Sequence, residues 1–399
     1  MKDRLPIDAV IEPLREALAR AGRAVLMAPP GAGKTTRVPL ALIDRVEGRI
    51  VMLEPRRLAA RAAAERMAES LGESVGQRVG YRIRGEAKVS KATRIEVVTE
   101  GILTRMLQSD PELSGVGLVI FDEFHERSLN ADLGLALTWE ARGALRPDLQ
   151  ILVMSATLDA EPVAALLDNA PILRSEGRAF PVETRWLGRS LATGLRLEAA
   201  CAALIEEAVA ETSGGVLVFL PGEGEIRRTE ALLKGRLPPE VAIRPLFGAM
   251  DFAAQRAAIA PVATGRKVVL ATSIAETSLT IEDIRVVVDA GRARRLRFDP
   301  ASGMARLVTE RVSRAEAEQR RGRAGRVAEG ICYRLWTKGE EGALAAFAPP
   351  EIAVADLSGL ALELAQWGSD GSDLAFLTPP PAPALAEARA LLQGLGALD

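Results

Sequence analysis

The residues Ala28-Pro29-Pro30-Gly31-Ala32-Gly33-Lys34-Thr35, followed by Thr36, have the composition of a loop that cradles phosphates. Gly31 and Gly33 let the backbone wrap its N–H groups around an anion at a helix N-terminus. Lys34 can reach the outer phosphates, and Thr35 can ligate Mg²⁺. A second segment, Asp122-Glu123-Phe124-His125, closes the apolar run 117–122. Two adjacent carboxylates at a strand end can divide the work: Asp122 holds the metal ion and Glu123 accepts the proton of an attacking water. His125 is the single histidine of the chain and is expected to touch the γ-phosphate network or another domain. In a third segment, 319–326, Arg323 and Arg326 are three apart and share a face if the stretch is helical. Both could then stabilise charge building on a transferred phosphoryl group, with Gln319 orienting water. Gly322 and Gly325 argue against a plain surface helix, because glycine costs stability unless the backbone packs closely. Together the three segments describe hydrolysis of a nucleoside triphosphate between two domains.

The elements that must position these groups are legible as an alternation. Strand-like runs at 24–28, 50–54, 94–99, 117–122 and 150–155 are mostly apolar on both faces, as in a parallel sheet covered on both sides. Stretches 38–46, 57–71 and 130–142 between them read as helices. The pattern loosens around 170–181, where a domain joint is expected, and restarts with strands at 215–220, 241–246, 267–272, 285–290 and 331–336. The expected fold class is therefore α/β, with two tandem parallel-sheet domains. Residues 292–310 read as a β-hairpin inserted in the second domain, with a turn at 299–303. After residue 350 two helices are expected, at 354–367 and 382–394.

Composition sets the bounds. A chain of 399 residues with 48% hydrophobic and 26% charged residues is long enough for two or three cores. No apolar run approaches the ~20 residues that span a bilayer, and the N-terminus lacks a signal-peptide core, so a cytoplasmic protein is the expectation. The net charge of −2 means that any nucleic-acid site must be a local groove. Cys201 and Cys332 are lone cysteines, expected as buried thiols, and no cluster suggests structural zinc.

At this density of motifs the chain resembles superfamily 2 helicases of the DEAH-box type. Leu53-Glu54-Pro55-Arg56-Arg57-Leu58-Ala59-Ala60 and Val98-Thr99-Glu100-Gly101 are similar to the first two nucleic-acid motifs. Ser155-Ala156-Thr157 is similar to the coupling motif, and Phe219-Leu220-Pro221-Gly222 and the segment 271–280 look like those of the second domain's RNA path. The spelling of 54–61 and 122–129 looks most like the bacterial HrpB group. The resemblance implies two RecA-like domains (1–175 and 176–345) and the start of a winged helix (346–399), with later C-terminal domains absent. It implies ATP, with other nucleoside triphosphates as alternatives, and Mg²⁺ as cofactors. Single-stranded RNA would be contacted by Arg57, Arg84, Thr99 and Thr272, with translocation 3′-to-5′. Ser155 and Thr157 would couple hydrolysis to movement, and Arg66 would stack on the base. Opposite Arg66 the usual aromatic is Ile259, so selection for adenine is expected to be weak. A nucleic-acid-stimulated NTPase acting as a monomeric RNA helicase is the leading reading. A DNA translocase and a nucleotide-gated RNA-binding switch remain alternatives.

Overall fold

The computed structural model describes residues 5–156, 160–177, 180–262, 264–276, 281, 283–299 and 302–399. The chain forms two compact units. The first comprises residues 1–177, 297–305 and 349–399, and the second 178–296 and 306–348.

The first unit holds an eight-stranded sheet. Its strands are β1 (Arg23–Met27), β2 (Arg49–Glu54), β3 (Val79–Ile83), β4 (Glu86–Lys88), β5 (Ile95–Thr99), β6 (Val116–Phe121), β7 (Gln150–Ser155) and β8 (Ile172–Arg174), in spatial order β4-β3-β5-β2-β6-β7-β1-β8. Only the β3–β4 pair is antiparallel among the described pairs. Alternate residues of the central strands face opposite cores: Val51, Leu53, Val119 and Phe121 join one cluster, Ile50, Met52, Leu118 and Ile120 the other. Such two-sided burial needs helices on both faces. These are α1 (Ile11–Ala21), α2 (Lys34–Leu42), α3 (Arg57–Ser70), α4 (Glu100–Ser109), α5 (Leu129–Ala144) and α6 (Ala160–Leu166).

The second unit carries β9 (Val182–Trp186), β10 (Gly215–Phe219), β11 (Val241–Leu246), β12 (Arg266–Ala271) and β13 (Ile284–Asp289). A two-stranded ribbon follows, β14 (Arg292–Asp299) with β15 (Met304–Arg311), and then β16 (Gly330–Arg334). The six-stranded sheet runs β11-β12-β10-β13-β16-β9, with every described pair parallel. Its helices are α7 (Leu197–Glu211), α8 (Glu223–Leu233), α9 (Phe252–Ile259), α10 (Arg314–Gly322) and α11 (Lys338–Gly342).

The C-terminal segment forms α12 (Ser358–Trp367) and α13 (Ala382–Gly394). Residues 354–357, read from sequence as the first turn of a helix, lie outside it, and Asp356 instead accepts the Ser358 N–H at 2.8 Å. Leu357, Leu360, Leu364, Leu385 and Leu392 are buried with α4 and α5 in the core of the first unit. Cys201 and Cys332 are buried free thiols, both pushed up to about 12 by burial.

Candidate nucleotide site

The first unit builds its candidate site at the C-terminal ends of β1 and β6, where open α/β sheets bind ligands. Residues 28–33 link β1 to α2 with Gly31 at φ 86° and Gly33 at φ 94°, the left-handed region that glycine enters without strain. A Cβ on Gly33 would come within 2.6 Å of the Leu5 side chain, so the loop is closed tightly from the N-terminal segment. Ile7 N–H also donates to the Ala32 carbonyl at 3.2 Å. Lys34 and Thr35 thus fall in the first turn of α2.

Asp122 and Glu123 follow β6, which is clamped between β2 and β7. Lys34 Nζ donates to Glu123 Oε1 at 2.9 Å and lies 4.0 Å from Asp122 Oδ1. Thr35 Oγ1 donates to Asp122 Oδ2 at 2.6 Å. All of Lys34, Asp122 and Glu123 are buried, as is Glu54 at the end of β2. Burial pulls the Lys34 ammonium down, but the facing Glu123 and Asp122 carboxylates outweigh it and hold it above its ordinary value. Burial pushes Asp122 up to about 6, with Glu123 adding repulsion and Lys34 opposing. Glu54 is pushed well above the carboxylate range by burial and by repulsion from Asp122 and Glu123.

Two buried carboxyl groups, Asp122 and Glu123, therefore face the buried Lys34 ammonium, an excess of acid over base even with Glu54 held toward its neutral form. This excess, with the Thr35 hydroxyl beside the Asp122 carboxylate, fits a hard divalent cation. Mg²⁺ is usually held by one or two such oxygens together with substrate phosphates and water. Thr35 and Asp122 are the residues that would hold it.

Glu123 and Arg127 both adopt left-handed backbone, at φ 52° and 48°, around the 3₁₀ turn Phe124–Glu126. Non-glycine residues in such conformations cost about 1–3 kcal/mol each and persist only where surroundings over-determine them. His125 is part of that turn. Its Nδ1 accepts the Ala156 N–H at 3.3 Å and stands 3.5 Å from Glu123 Oε2. Accepting at Nδ1 places the ring proton on Nε2, and burial lowers its pKa, so the imidazole is neutral. Within the first unit, His125 therefore joins the Glu123 turn to the Ser155-Ala156 backbone. Ser155 is buried, and Thr157 lies outside the described residues.

The other sequence-derived candidates are placed as follows. Arg57, Arg66 and Arg84 are exposed, and Thr99 is the residue before α4. In the second unit Thr272 is half-buried, and its N–H donates to Leu246 at 3.2 Å. Residues 277–280 lie outside the described residues. Gln319 is buried on α10, but that helix ends at Gly322. Arg323 and Arg326 therefore lie in the turns beyond it, so the condition for a shared helical face is not met. The chain turns because Gly325 packs against the Phe180 carbonyl, where a Cβ would come within 2.5 Å. Arg323 is buried, with Nε donating to the Glu276 carbonyl at 2.8 Å.

Arg320, not singled out in the sequence, is fully buried between Glu276 and Asp289, at 2.5 and 2.7 Å. Its guanidinium also stacks over Phe219. Glu54 was read only as a motif letter. A charged residue ending the apolar strand next to β6 was the signal that could have found it.

Residues 10–166 match the family described as DEAD/DEAH box helicase, and residues 198–328 match the helicase conserved C-terminal domain. The chain is 52% identical over 399 residues to "ATP-dependent RNA helicase HrpB" of Escherichia coli (strain K12), covering 99% of this chain and 49% of that protein. It is 38% identical over 415 residues to "Pre-mRNA-splicing factor ATP-dependent RNA helicase prp22" of Schizosaccharomyces pombe, covering 100% of this chain and 35% of that one. A crystal structure of Escherichia coli DEAH/RHA helicase HrpB matches with a TM-score of 0.94 at 51% identity, covering 99% of this chain and 51% of that one. The chain thus spans about half or less of the length of these relatives. Its two parallel-sheet units are RecA-like α/β domains. On both family matches and the full-length similarity, the chain belongs to the DEAD/DEAH-box helicase family.

Proposed function

We propose that this chain is the ATP-hydrolysing core of an RNA helicase. The observation that carries the reading is the buried Lys34–Glu123–Asp122–Thr35 cluster behind a glycine loop at the sheet's C-terminal edge. In this reading Lys34 leaves Glu123 for the outer phosphates, which frees that carboxylate to take the proton of the attacking water. Mg²⁺, when bound, neutralises phosphate charge. His125, held by the Ala156 backbone, relays the state of the Glu123 turn to the Ser155–Thr157 segment. Arg323 and Arg326 stabilise the charge of the transferred phosphoryl group, and Gln319 orients the water.

Single-stranded RNA runs over Arg57, Arg84, Thr99 and Thr272, and movement is 3′-to-5′ by family likeness. Arg66 contacts the base. The divisions 1–175, 176–345 and 346–399, the last as the start of a winged helix, are part of the same proposal, as are a monomeric state and a cytoplasmic location.

The test is ATP hydrolysis by the purified chain with no nucleic acid, with poly(U) RNA and with single-stranded DNA, alongside Glu123→Gln. RNA-stimulated turnover lost in the variant is expected. Equal stimulation by DNA would favour a DNA translocase. RNA binding gated by ATP without turnover would favour a switch.

A further inference from the structure

The turn that carries Glu123 is gripped from a part of the chain more than two hundred residues away in sequence. Glu351 brackets Ser128: its N–H donates to the Arg127 carbonyl at 3.0 Å, and its carboxylate accepts the Leu129 N–H at 2.8 Å. Thr378 Oγ1 accepts from Arg127 Nη2 at 2.9 Å, while the same guanidinium forms a fork on Asp132 at 2.9 and 3.0 Å. Glu351 is fixed in turn by its neighbour Ile352, which is fully buried in the core shared with α12 and α13.

These contacts fall on Arg127, which closes the left-handed turn opened by Glu123, and on Leu129 two residues beyond it. Glu126 N–H to the Glu123 carbonyl and Arg127 N–H to the Phe124 carbonyl, at 2.9 and 3.0 Å, make the turn one short rigid unit. Its direction at the Arg127 end therefore sets the backbone of Glu123 at the other.

We propose that Glu351 and Thr378 are positioning residues for Glu123, so that the C-terminal segment sets the hydrolytic competence of the nucleotide site. The proposal rests on the reading of Glu123 as proton acceptor. Neither residue touches the nucleotide loop, so their loss should lower kcat and leave ATP affinity alone. Strained turns of this kind hold their shape only while outside contacts hold them. A displacement of about 1 Å at a reacting group is enough to cost up to ~100-fold in rate.

The experiment compares Glu351→Ala, Glu351→Gln, Thr378→Val and Thr378→Ser in the whole chain. Gln and Ser keep the acceptor oxygens, whereas Ala and Val remove them. Expected are kcat values roughly tenfold lower for Ala and severalfold lower for Val, with KM within about twofold of the parent and rates restored by Gln and Ser. Amide hydrogen exchange over 123–131 is expected to quicken in the Ala and Val variants alone. Parent-like kcat in both disruptive variants, a loss carried by KM, or no rescue by Gln and Ser would overturn the proposal. If the parent chain hydrolyses no ATP, the functional reading fails, and exchange still decides the grip: unchanged protection in Ala and Val overturns it. Thr378→Val is nearly isosteric, which keeps the test open if Glu351→Ala folds poorly.

Discussion

Lys34 Nζ and Glu123 Oε1 form a buried ion pair at 2.9 Å, with only 4% and 3% of their side chains exposed. The residue that would grip phosphate and the one that would activate water thus hold each other. Removing Lys34 takes away the buried ammonium that faces Asp122 and Glu123. Breaking such a pair from one side costs about 3–5 kcal/mol. Lys34→Ala is therefore expected to lower the urea midpoint as well as nucleotide affinity. Glu123→Gln keeps an acceptor for Lys34, so it should retain both while hydrolysis falls to background. Near-parent turnover in the Gln variant, measured by phosphate release, would show that another group is the base.

Arg323 and Arg326 are expected to act on the transition state. Removing an arginine finger costs about 10³–10⁵ in rate, so each Ala variant should lose at least ~100-fold in kcat with modest change in binding of a non-hydrolysable ATP analogue. Arg323→Ala should also destabilise the second unit, by about 1–3 kcal/mol, because it removes the buried charged hydrogen bond from Arg323 Nε to the Glu276 carbonyl. Loss of analogue binding without loss of maximal rate would reduce both to a basic surface.

What could be read from the sequence followed the physics of each part. The central strands β1, β2, β5, β6 and β7 came within one residue at each end because both their faces are apolar. Strands β3, β4, β8 and β9 were missed. β4 and β8 have only three residues each, and β9 is partly exposed at a sheet edge. Lys34, Thr35, Asp122 and Glu123 were legible because each lies within a contiguous motif. Glu54 and the grip of Glu351 were not, since they depend on β2 lying beside β6 and on a C-terminal segment folding back onto α5. Both are products of non-sequential topology. The condition for a shared helical face of Arg323 and Arg326 is not met for a local reason, the close packing of Gly325 against Phe180.

Glu100 supplies a pH signature. Its carboxyl is pushed up to about 7 by burial, aided by repulsion from Glu126, Glu351 and Asp132 and opposed by the Ser128 hydroxyl that donates to it at 2.6 Å. The folded chain keeps this proton where the unfolded chain, near the ordinary value of 4.5, has released it. Stability from this group is therefore complete below the unfolded value, declines as pH rises through the folded one, and levels off above about 7. The full span is at most about 3 kcal/mol. Asp122 and Glu54 slope the same way and His125 the opposite way, so the difference between parent and Glu100→Gln isolates Glu100. Gln still accepts from Ser128. Thermal midpoints from pH 4.5 to 8 should fall less steeply in Gln than in the parent, and parallel curves would contradict the assignment.

The β14–β15 ribbon should matter for separating strands and not for hydrolysis. It exposes Leu296 and Leu307 at 52% and 66%, while Arg294 is paired with Glu225 and Arg295 with Glu310 and Glu316. Exposed apolar side chains can wedge against an unstacking base step. Near its tip, Gly303 N–H and Ser302 N–H both close onto the Asp299 carbonyl, and a Cβ on Gly303 would meet nothing within 4 Å. Residues 300 and 301 lie outside the described residues. Replacing 299–303 by Asn-Gly substitutes a two-residue hairpin turn that suits the strand twist. RNA-stimulated ATPase is expected within about twofold of the parent, because no candidate catalytic group sits there, while unwinding of an RNA duplex with a single-stranded tail should fall several-fold. If both activities held, the ribbon would be ordinary surface. If ATPase collapsed too, its role would be to support the fold: the Phe298 N–H donates to the Val354 carbonyl at 3.2 Å, and the replacement would disturb that contact.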